Sequence, residues 1–269
     1  MVSSMLQHTS ALITLNLITD DASKPVAQEA ILAAVNSTGK DIKVIYYDIK
    51  EVTAKMGGLV DSMRVHFTSQ PGGYYSDSLF FVSLILHHVA PLHQTQVVML
   101  DVDTKLLEDI VLLFREFDRF NETNLVGCSV ELTPVYQHVL YRWRSKHAGS
   151  RLGSPASRGG FPGINSGVLL LRLDRIRMSA LYDTLLQRST LQYLTSKYFF
   201  KGHLGDQDFY TLVALEHPEL FYMLDCGWNR QLCTWWRDHG YQDSFSSFAE
   251  CQSPVKIYHG NCNTPIPSS

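Results

Sequence analysis

The alternation of strand-like and helix-like segments predicts an α/β fold with a mostly parallel central sheet flanked by helices. Two further observations agree. The apolar runs are short and bounded by turn residues, as strands buried on both faces should be. One of them, Val97-Val98-Met99-Leu100, ends in Asp101-Val102-Asp103, and the carboxyl end of a strand is where an open α/β sheet holds its ligands.

In chain order, Ala11 to Ile18 reads as a first strand ending at Thr19-Asp20-Asp21, followed by a helical pattern from Pro25 to Val35 and a second strand from Ile42 to Tyr47. Asp77 to His88 is helical, and the Val97 strand follows. Leu106 to Phe117 has helical spacing after an acidic first turn, which suits the helix dipole. Leu125 to Val130 and Gly163 to Leu173 read as strands, and Asp206 to Glu216 as a helix. Between Arg142 and Gly163 the pattern breaks: Arg142, Arg144, Lys146, Arg151 and Arg158 occur among glycines and serines without an acidic residue. This segment is expected as a mobile basic loop, either a solvated connection or a wall near an anionic ligand. The aromatic and cysteine-rich region from Phe221 onward is expected to pack back on the sheet.

A chain of 269 residues supports a large core. With 18% charged residues and a formal net charge of −3, it lacks the basic excess of a nucleic-acid binder. No apolar run reaches the ~18 residues needed to span a bilayer, and the first residues carry no signal-peptide pattern; any membrane attachment is expected through an anchor upstream. Cys128 stands alone, whereas Cys226, Cys233, Cys251 and Cys262 cluster late. Without a CxxC pair, zinc is disfavoured against two disulfides, which imply an oxidising compartment. Three pairings are possible; the working one joins Cys226 to Cys251 and Cys233 to Cys262. The Asn36-Ser37-Thr38 and Asn121-Glu122-Thr123 sequons are compatible with a secretory route.

Side chains alternate along a strand, so Asp101 and Asp103 share a face, and two hard oxygen ligands suit a divalent cation. The alternative is an acidic turn that ends a strand. His259, after Val255-Lys256-Ile257-Tyr258, offers a nitrogen ligand that would favour Mn²⁺ over Ca²⁺. Asn165-Ser166-Gly167 precedes an apolar strand; its amide could bond hydroxyl groups, and Gly167 would admit another group close to the backbone. Gly205-Asp206-Gln207-Asp208 precedes a helix that Asp206 could cap, which leaves Gln207 unexplained. Thr19 and Asp20 could meet a base or ribose. Trp228, Trp235 and Trp236 read mainly as core and cover residues, with stacking on an acceptor as the other reading.

The ordered set Leu17-Ile18-Thr19-Asp20-Asp21, Leu100-Asp101-Val102-Asp103, Asn165-Ser166-Gly167-Val168-Leu169-Leu170, Gly205-Asp206-Gln207-Asp208 and Tyr258-His259-Gly260 resembles the family-8 glycosyltransferases over nearly the whole chain. His203 to Tyr210 and Tyr258 to Pro265 are similar to the animal xyloside α-1,3-xylosyltransferases within that family. The resemblance implies a GT-A fold in one domain (11–267), with a nucleotide-binding half near 11–131, an acceptor-side half near 132–267 and a flexible start over 1–10. It implies Mn²⁺ held by Asp101, Asp103 and His259. A UDP-sugar donor, UDP-xylose, would meet Thr19, Asp20, Asp101, Val102, Asp103, Asn165 and Gly260, with Asn165, Asp206 and Gln207 at the reacting sugar. The implied reaction is retaining transfer of xylose to O3 of a xylose in a xylosyl-glucose glycan on an EGF-like repeat of the Notch type, in the lumen of the endoplasmic reticulum or Golgi. A bridge at Cys262 would hold the His259 loop.

Two departures from the family pattern bear on the diphosphate. Tyr74-Tyr75-Ser76-Asp77-Ser78 supplies no basic residue, and Asn263-Thr264-Pro265-Ile266 stands where many members have Lys-Pro-Trp. Retention could proceed by double displacement or by same-face attack. An amide is a poor nucleophile, so Gln207 favours same-face attack. Two alternatives are a haloacid-dehalogenase-type phosphatase, disfavoured because Lys105 stands where that motif has Thr or Val, and a silent UDP-sugar-binding module.

Overall fold

In a computed structural model of the chain, residues 1–55, 58–68 and 78–267 are described. Nine strands occur among them: β1 (Ile13–Thr19), β2 (Ile42–Asp48), β3 (Gln96–Leu100), β4 (Thr104–Leu106), β5 (Val126–Val130), β6 (Ile164–Arg172), β7 (Phe221–Met223), β8 (Arg230–Gln231) and β9 (Ile257–His259). β1 and β2 pair in parallel. The central sheet has the order β3-β6-β5-β7, and a third sheet has the order β4-β9-β8.

The sheet predicted as mostly parallel is mixed. β6 runs antiparallel to both β3 and β5, while β5 and β7 are parallel. Alternation of strands and helices predicts parallel neighbours only where successive strands pair through a helical crossover. Here β6 returns after the long 131–163 excursion and inserts between β3 and β5. Its register explains its unbroken apolar run. Leu169 and Leu171 enter one core cluster with Val126, Cys128, Phe209 and Tyr210, while Val168 and Leu170 enter a second with Leu106, Leu113 and Trp228. Both faces of β6 are therefore dry, and each buried leucine is worth about 1.5–3 kcal/mol.

Other expectations are corrected as well. Residues 1–10 are not a loose start: Val2–His8 is a helix that buries Met5 and Leu6, and Ser4 accepts a hydrogen bond from the Leu106 amide at 3.0 Å. Leu106 ends β4, and the helix predicted from it begins at Ile110, where Asp109 caps it by accepting from the Val111 amide at 2.9 Å. The basic segment is ordered by its own side chains. Arg144 donates to the Leu152 carbonyl and Ser154 hydroxyl at 2.6 and 2.8 Å, and Arg158 to the Ser247 hydroxyl at 2.8 Å. The helix predicted from Asp77 is a 3-10 turn over Ser78–Phe81 and an α-helix over Val82–Val89; Asp77 itself, like Tyr74, Tyr75 and Ser76, lies outside the described residues.

The Asp206–Glu216 helix falls where the sequence places it, but Asp206 is not its cap. Gly205 takes that position at φ 67°, a left-handed conformation open to glycine. Asp208 reaches back to accept from the Leu204 amide at 2.6 Å and from the Tyr136 hydroxyl at 2.9 Å. Burial pushes the Asp208 carboxyl up to about 7. An unfolded Asp ionises near ~3.9, so the folded state holds the extra proton between those values. Stability from this group is full at low pH and falls as pH rises through about 7. Relative to Asp208→Asn, which cannot ionise, the wild-type melting temperature should drop between pH 5 and pH 8. A gap that stays constant across that range contradicts the assignment.

Candidate active site

The site forms where three strand ends meet. β3 runs into Asp101, whose amide donates to the Gly167 carbonyl at 2.9 Å, beside the start of β6. The β5–β6 register jumps here from Cys128↔Leu169 to Ser129↔Asn165. Such a bulge re-aims side chains at a sheet rim, and it turns Asn165-Ser166-Gly167 toward the end of β3. β4, just past Asp103, pairs with β9 so that Thr104 lies opposite His259. The Gly260 amide donates to the Asp103 carbonyl at 2.8 Å.

The result brings Asp101, Asp103 and His259 together. The His259 Nε2 lies 3.5 Å from an Asp101 oxygen and 3.6 Å from an Asp103 oxygen, and ligand atoms of all three lie within 4.8 Å of one another. Both carboxylates are about half-exposed and the imidazole is buried. Two hard oxygens and one imidazole nitrogen, open on one side to solvent, fit a divalent transition-metal ion that also takes oxygen ligands from a substrate. The ring of His259 lies on the Gly167 backbone: a Cβ there would sit 2.2 Å from the ring carbon Cε1.

The tail is stapled around this histidine. Cys226–Cys251 and Cys233–Cys262 are the two bridges, the working pairing read from the sequence. Beside the second, the Asn261 side-chain oxygen accepts from the Leu232 and Cys233 amides, each at 2.9 Å. Cys262 and Asn263 both adopt left-handed φ, 60° and 56°, so the chain leaves His259 through a tight turn at 261–263 that the Cys233–Cys262 bridge fixes.

Behind the carboxylates lies a buried polar layer. Asp206 accepts from Ser83 and, at 3.0 Å, from the Ser166 hydroxyl. Burial pushes its carboxyl up to about 7, against the Ser83 bond and with help from the Asp101 charge. Gln207 accepts from the Ser166 amide at 3.3 Å and donates to Glu131 at 3.2 Å. Asn165 donates to the same Glu131 oxygen at 3.0 Å. Glu131 and Asn229, which meets the His259 ring at 3.0 Å, were not singled out in the sequence. Glu131 did carry a signal, a carboxylate just past a predicted buried strand; Asn229 carried none.

The remaining candidates stand apart or on the rim. Val102 is exposed between the aspartates, and Gly260 is buried. Thr19 ends β1, and Asp20 accepts from the Ser23 amide at 2.7 Å and from its hydroxyl, contacts that hold its carboxyl below the usual range. Among the described residues no hydrogen bond or ion pair joins Thr19 or Asp20 to the cluster. Trp228 is core, with its indole N–H on Glu116 at 3.2 Å. Trp236 packs against the core, whereas Trp235 is half-exposed and stacks on His239 with ring centroids 3.9 Å apart.

No protein-family model matches the chain. Xyloside xylosyltransferase 1 of Homo sapiens is 46% identical over 256 residues, covering 95% of this chain and 65% of that protein, and the Mus musculus protein matches to the same extent. The crystal structure of mouse xyloside xylosyltransferase 1 in its apo form superposes with a TM-score of 0.92 at 44% identity, over 99% of this chain and 91% of the other. The chain belongs to the xyloside xylosyltransferase family of glycosyltransferases. It spans about 65% of the length of the curated family members that it matches. A WbbM bifunctional glycosyltransferase, 12% identical, shares the fold alone, with a TM-score of 0.61 over 97% of this chain and 42% of that one. The fold is the GT-A type that the motif order implied, and the phosphatase alternative falls with the family assignment.

Two perturbations test this geometry. Gly167→Ala puts a methyl group into the His259 ring and should weaken divalent-cation binding, read by calorimetry with Mn²⁺ as the probe, by about tenfold or more; unchanged affinity means that the ring is not held there as a ligand. Reduction of Cys233–Cys262 frees the turn after His259 and should also lower Mn²⁺ affinity, whereas equal affinity with and without reductant would break the link between staple and site.

Proposed function

We propose that this chain is the catalytic domain of a retaining, Mn²⁺-dependent glycosyltransferase that moves xylose from UDP-xylose to O3 of a xylose in a xylosyl-glucose glycan on an EGF-like repeat. The observation that carries the reading is the meeting of Asp101, Asp103 and His259 beside a buried layer of Asn165, Asp206 and Gln207. A cation bound there supplies electrostatic stabilisation to the departing diphosphate.

The chain's own residues do the rest. Gln207 is a fixed dipole, its carbonyl on the Ser166 amide and its NH₂ on Glu131, so it steadies positive charge at the sugar and does not attack it. Asp206, held by two serines, and Asn165 take sugar hydroxyls. In same-face transfer the bond from C1 to the phosphate oxygen breaks, the acceptor hydroxyl bonds to C1, and its proton passes to the leaving phosphate. Thr19 and Asp20 meet the uridine, Val102 and Gly260 lie along the diphosphate, and Trp235 offers an aromatic face to the acceptor. The two disulfides support a lumenal setting in the endoplasmic reticulum or Golgi. No helix among the described residues is long and apolar enough to cross a membrane.

Transfer from UDP-xylose should fall by about a hundredfold or more in Asp103→Ala and in His259→Ala, and UDP-xylose should outpace UDP-glucose and UDP-galactose in the wild type. Near-normal turnover in either variant removes the cation assignment. Mn²⁺-dependent UDP binding without release of UDP in the presence of acceptor would favour the silent binding module instead. Gln207→Ala should be slower yet still retaining; a covalent sugar trapped on another side chain would overturn same-face attack.

A further inference from the structure

Glu131 is 2% exposed, and among the described residues no Lys, Arg or His forms an ion pair with it. A buried carboxylate of this kind costs several kcal/mol unless its oxygens are satisfied. Its neighbours are all donors: the Thr133 amide reaches Oε1 at 3.0 Å, and the side chains of Asn165 and Gln207 reach Oε2 at 3.0 and 3.2 Å. Burial pushes the carboxyl's pKa up, while each of these three neighbours presents a hydrogen, the arrangement that an acceptor-only carboxylate satisfies.

An ionised carboxylate only accepts, and this imposes a direction on what it touches. Asn165 must turn its NH₂ to Glu131, so its oxygen faces the Asn229 NH₂ at 2.8 Å and the Gly167 amide at 3.1 Å. Asn229, having donated to Asn165, turns its own oxygen to the His259 Nδ1 at 3.0 Å. An acceptor at Nδ1 requires the proton to sit there. In the neutral ring, the form that can bind a cation, the lone pair is then on Nε2, the nitrogen that faces Asp101 and Asp103. Reversing one amide would set an NH₂ against Nδ1 and move the proton to Nε2, where it would block a cation.

We propose that Glu131 is a positioning residue that sets the tautomer of His259 through Asn165 and Asn229, and with the same oxygen orients Gln207. This rests on the reading of Asp101, Asp103 and His259 as a cation site. A metal-ligating histidine commonly donates its other N–H to a carboxylate or carbonyl directly. Here the charge sits two amides away, so the imidazole gains the orientation without a third carboxylate beside the cation. The same group ties the metal face of the site to the sugar face, because Asn165 and Gln207 share one oxygen.

The decisive experiment reads His259 itself. In metal-free protein with ¹⁵N-labelled histidine rings at pH 8, with the signal assigned from its loss in His259→Asn, the wild type should show the Nδ1–H tautomer. Glu131→Leu removes the acceptor that holds the Asn165 NH₂. The expected result is a shift toward Nε2–H and a Mn²⁺ dissociation constant raised about tenfold or more. Adding Asn165→Asp returns an acceptor-only group one link further along: it accepts from the Gly167 amide and from Asn229, and should bring back both the Nδ1–H signal and the Mn²⁺ affinity, a recovery that mere packing would not give. The proposal is overturned by a wild type without a proton on Nδ1, by a Glu131→Leu variant with unchanged tautomer and affinity, or by a double variant that stays as impaired as the single one. Should the single variant fail to fold, the wild-type spectrum decides. Absence of Mn²⁺ binding to the wild type would refute the cation site, and the tautomer would still judge Glu131.

Discussion

The pairing of β4 with β9 is the contact on which the site depends. It brings the chain's tail against the strand that follows Asp103, so that an imidazole from the far end of the sequence faces two carboxylates from its middle. Closing a loop that long costs only slightly more entropy than closing a shorter one, because the cost grows with the logarithm of length. The three-residue ladder is reinforced by the Gly260 amide on Asp103, the Leu232 amide on the His259 carbonyl at 3.0 Å and the Cys233–Cys262 bridge. The absence of a side chain at Gly167 lets the ring lie against β6.

Around that contact the polar groups divide by depth. The aspartates face solvent, where a cation and a diphosphate can reach them without prior desolvation. Asp206, Gln207, Asn165 and Glu131 are buried, where fixed dipoles act at full strength because little water screens them. This division suits a reaction in which a charged group departs on the open side while a sugar is held on the dry one. It also requires complete hydrogen bonding of the inner layer, since a half-satisfied buried network costs more than an apolar one. The serine pair on Asp206 and the three donors on Glu131 meet that requirement.

The sequence was readable wherever one local signal decided the structure. The Val97–Leu100 run, the Asp206–Glu216 periodicity and the acidic pair after β3 all sit where they were read, and the working disulfide pairing holds. The direction of β6 was not readable, since strand order depends on which edges meet after the chain has wandered through 131–163. Nor was the order of the basic segment, whose arginines bond backbone carbonyls and serines that no charge pattern reveals. Val2–His8 was missed because a seven-residue helix with two buried apolar residues leaves too short a pattern. Asn229 was hidden for another reason: its role comes from two partners, Asn165 and His259, that are remote in sequence.

The account stands on one spot in space between three side chains. Crystals soaked in Mn²⁺ and measured at the manganese absorption edge should give an anomalous peak bounded by the Asp101 and Asp103 carboxylates and the His259 Nε2. A well-diffracting crystal with no peak there, or with manganese bound only elsewhere, would contradict it.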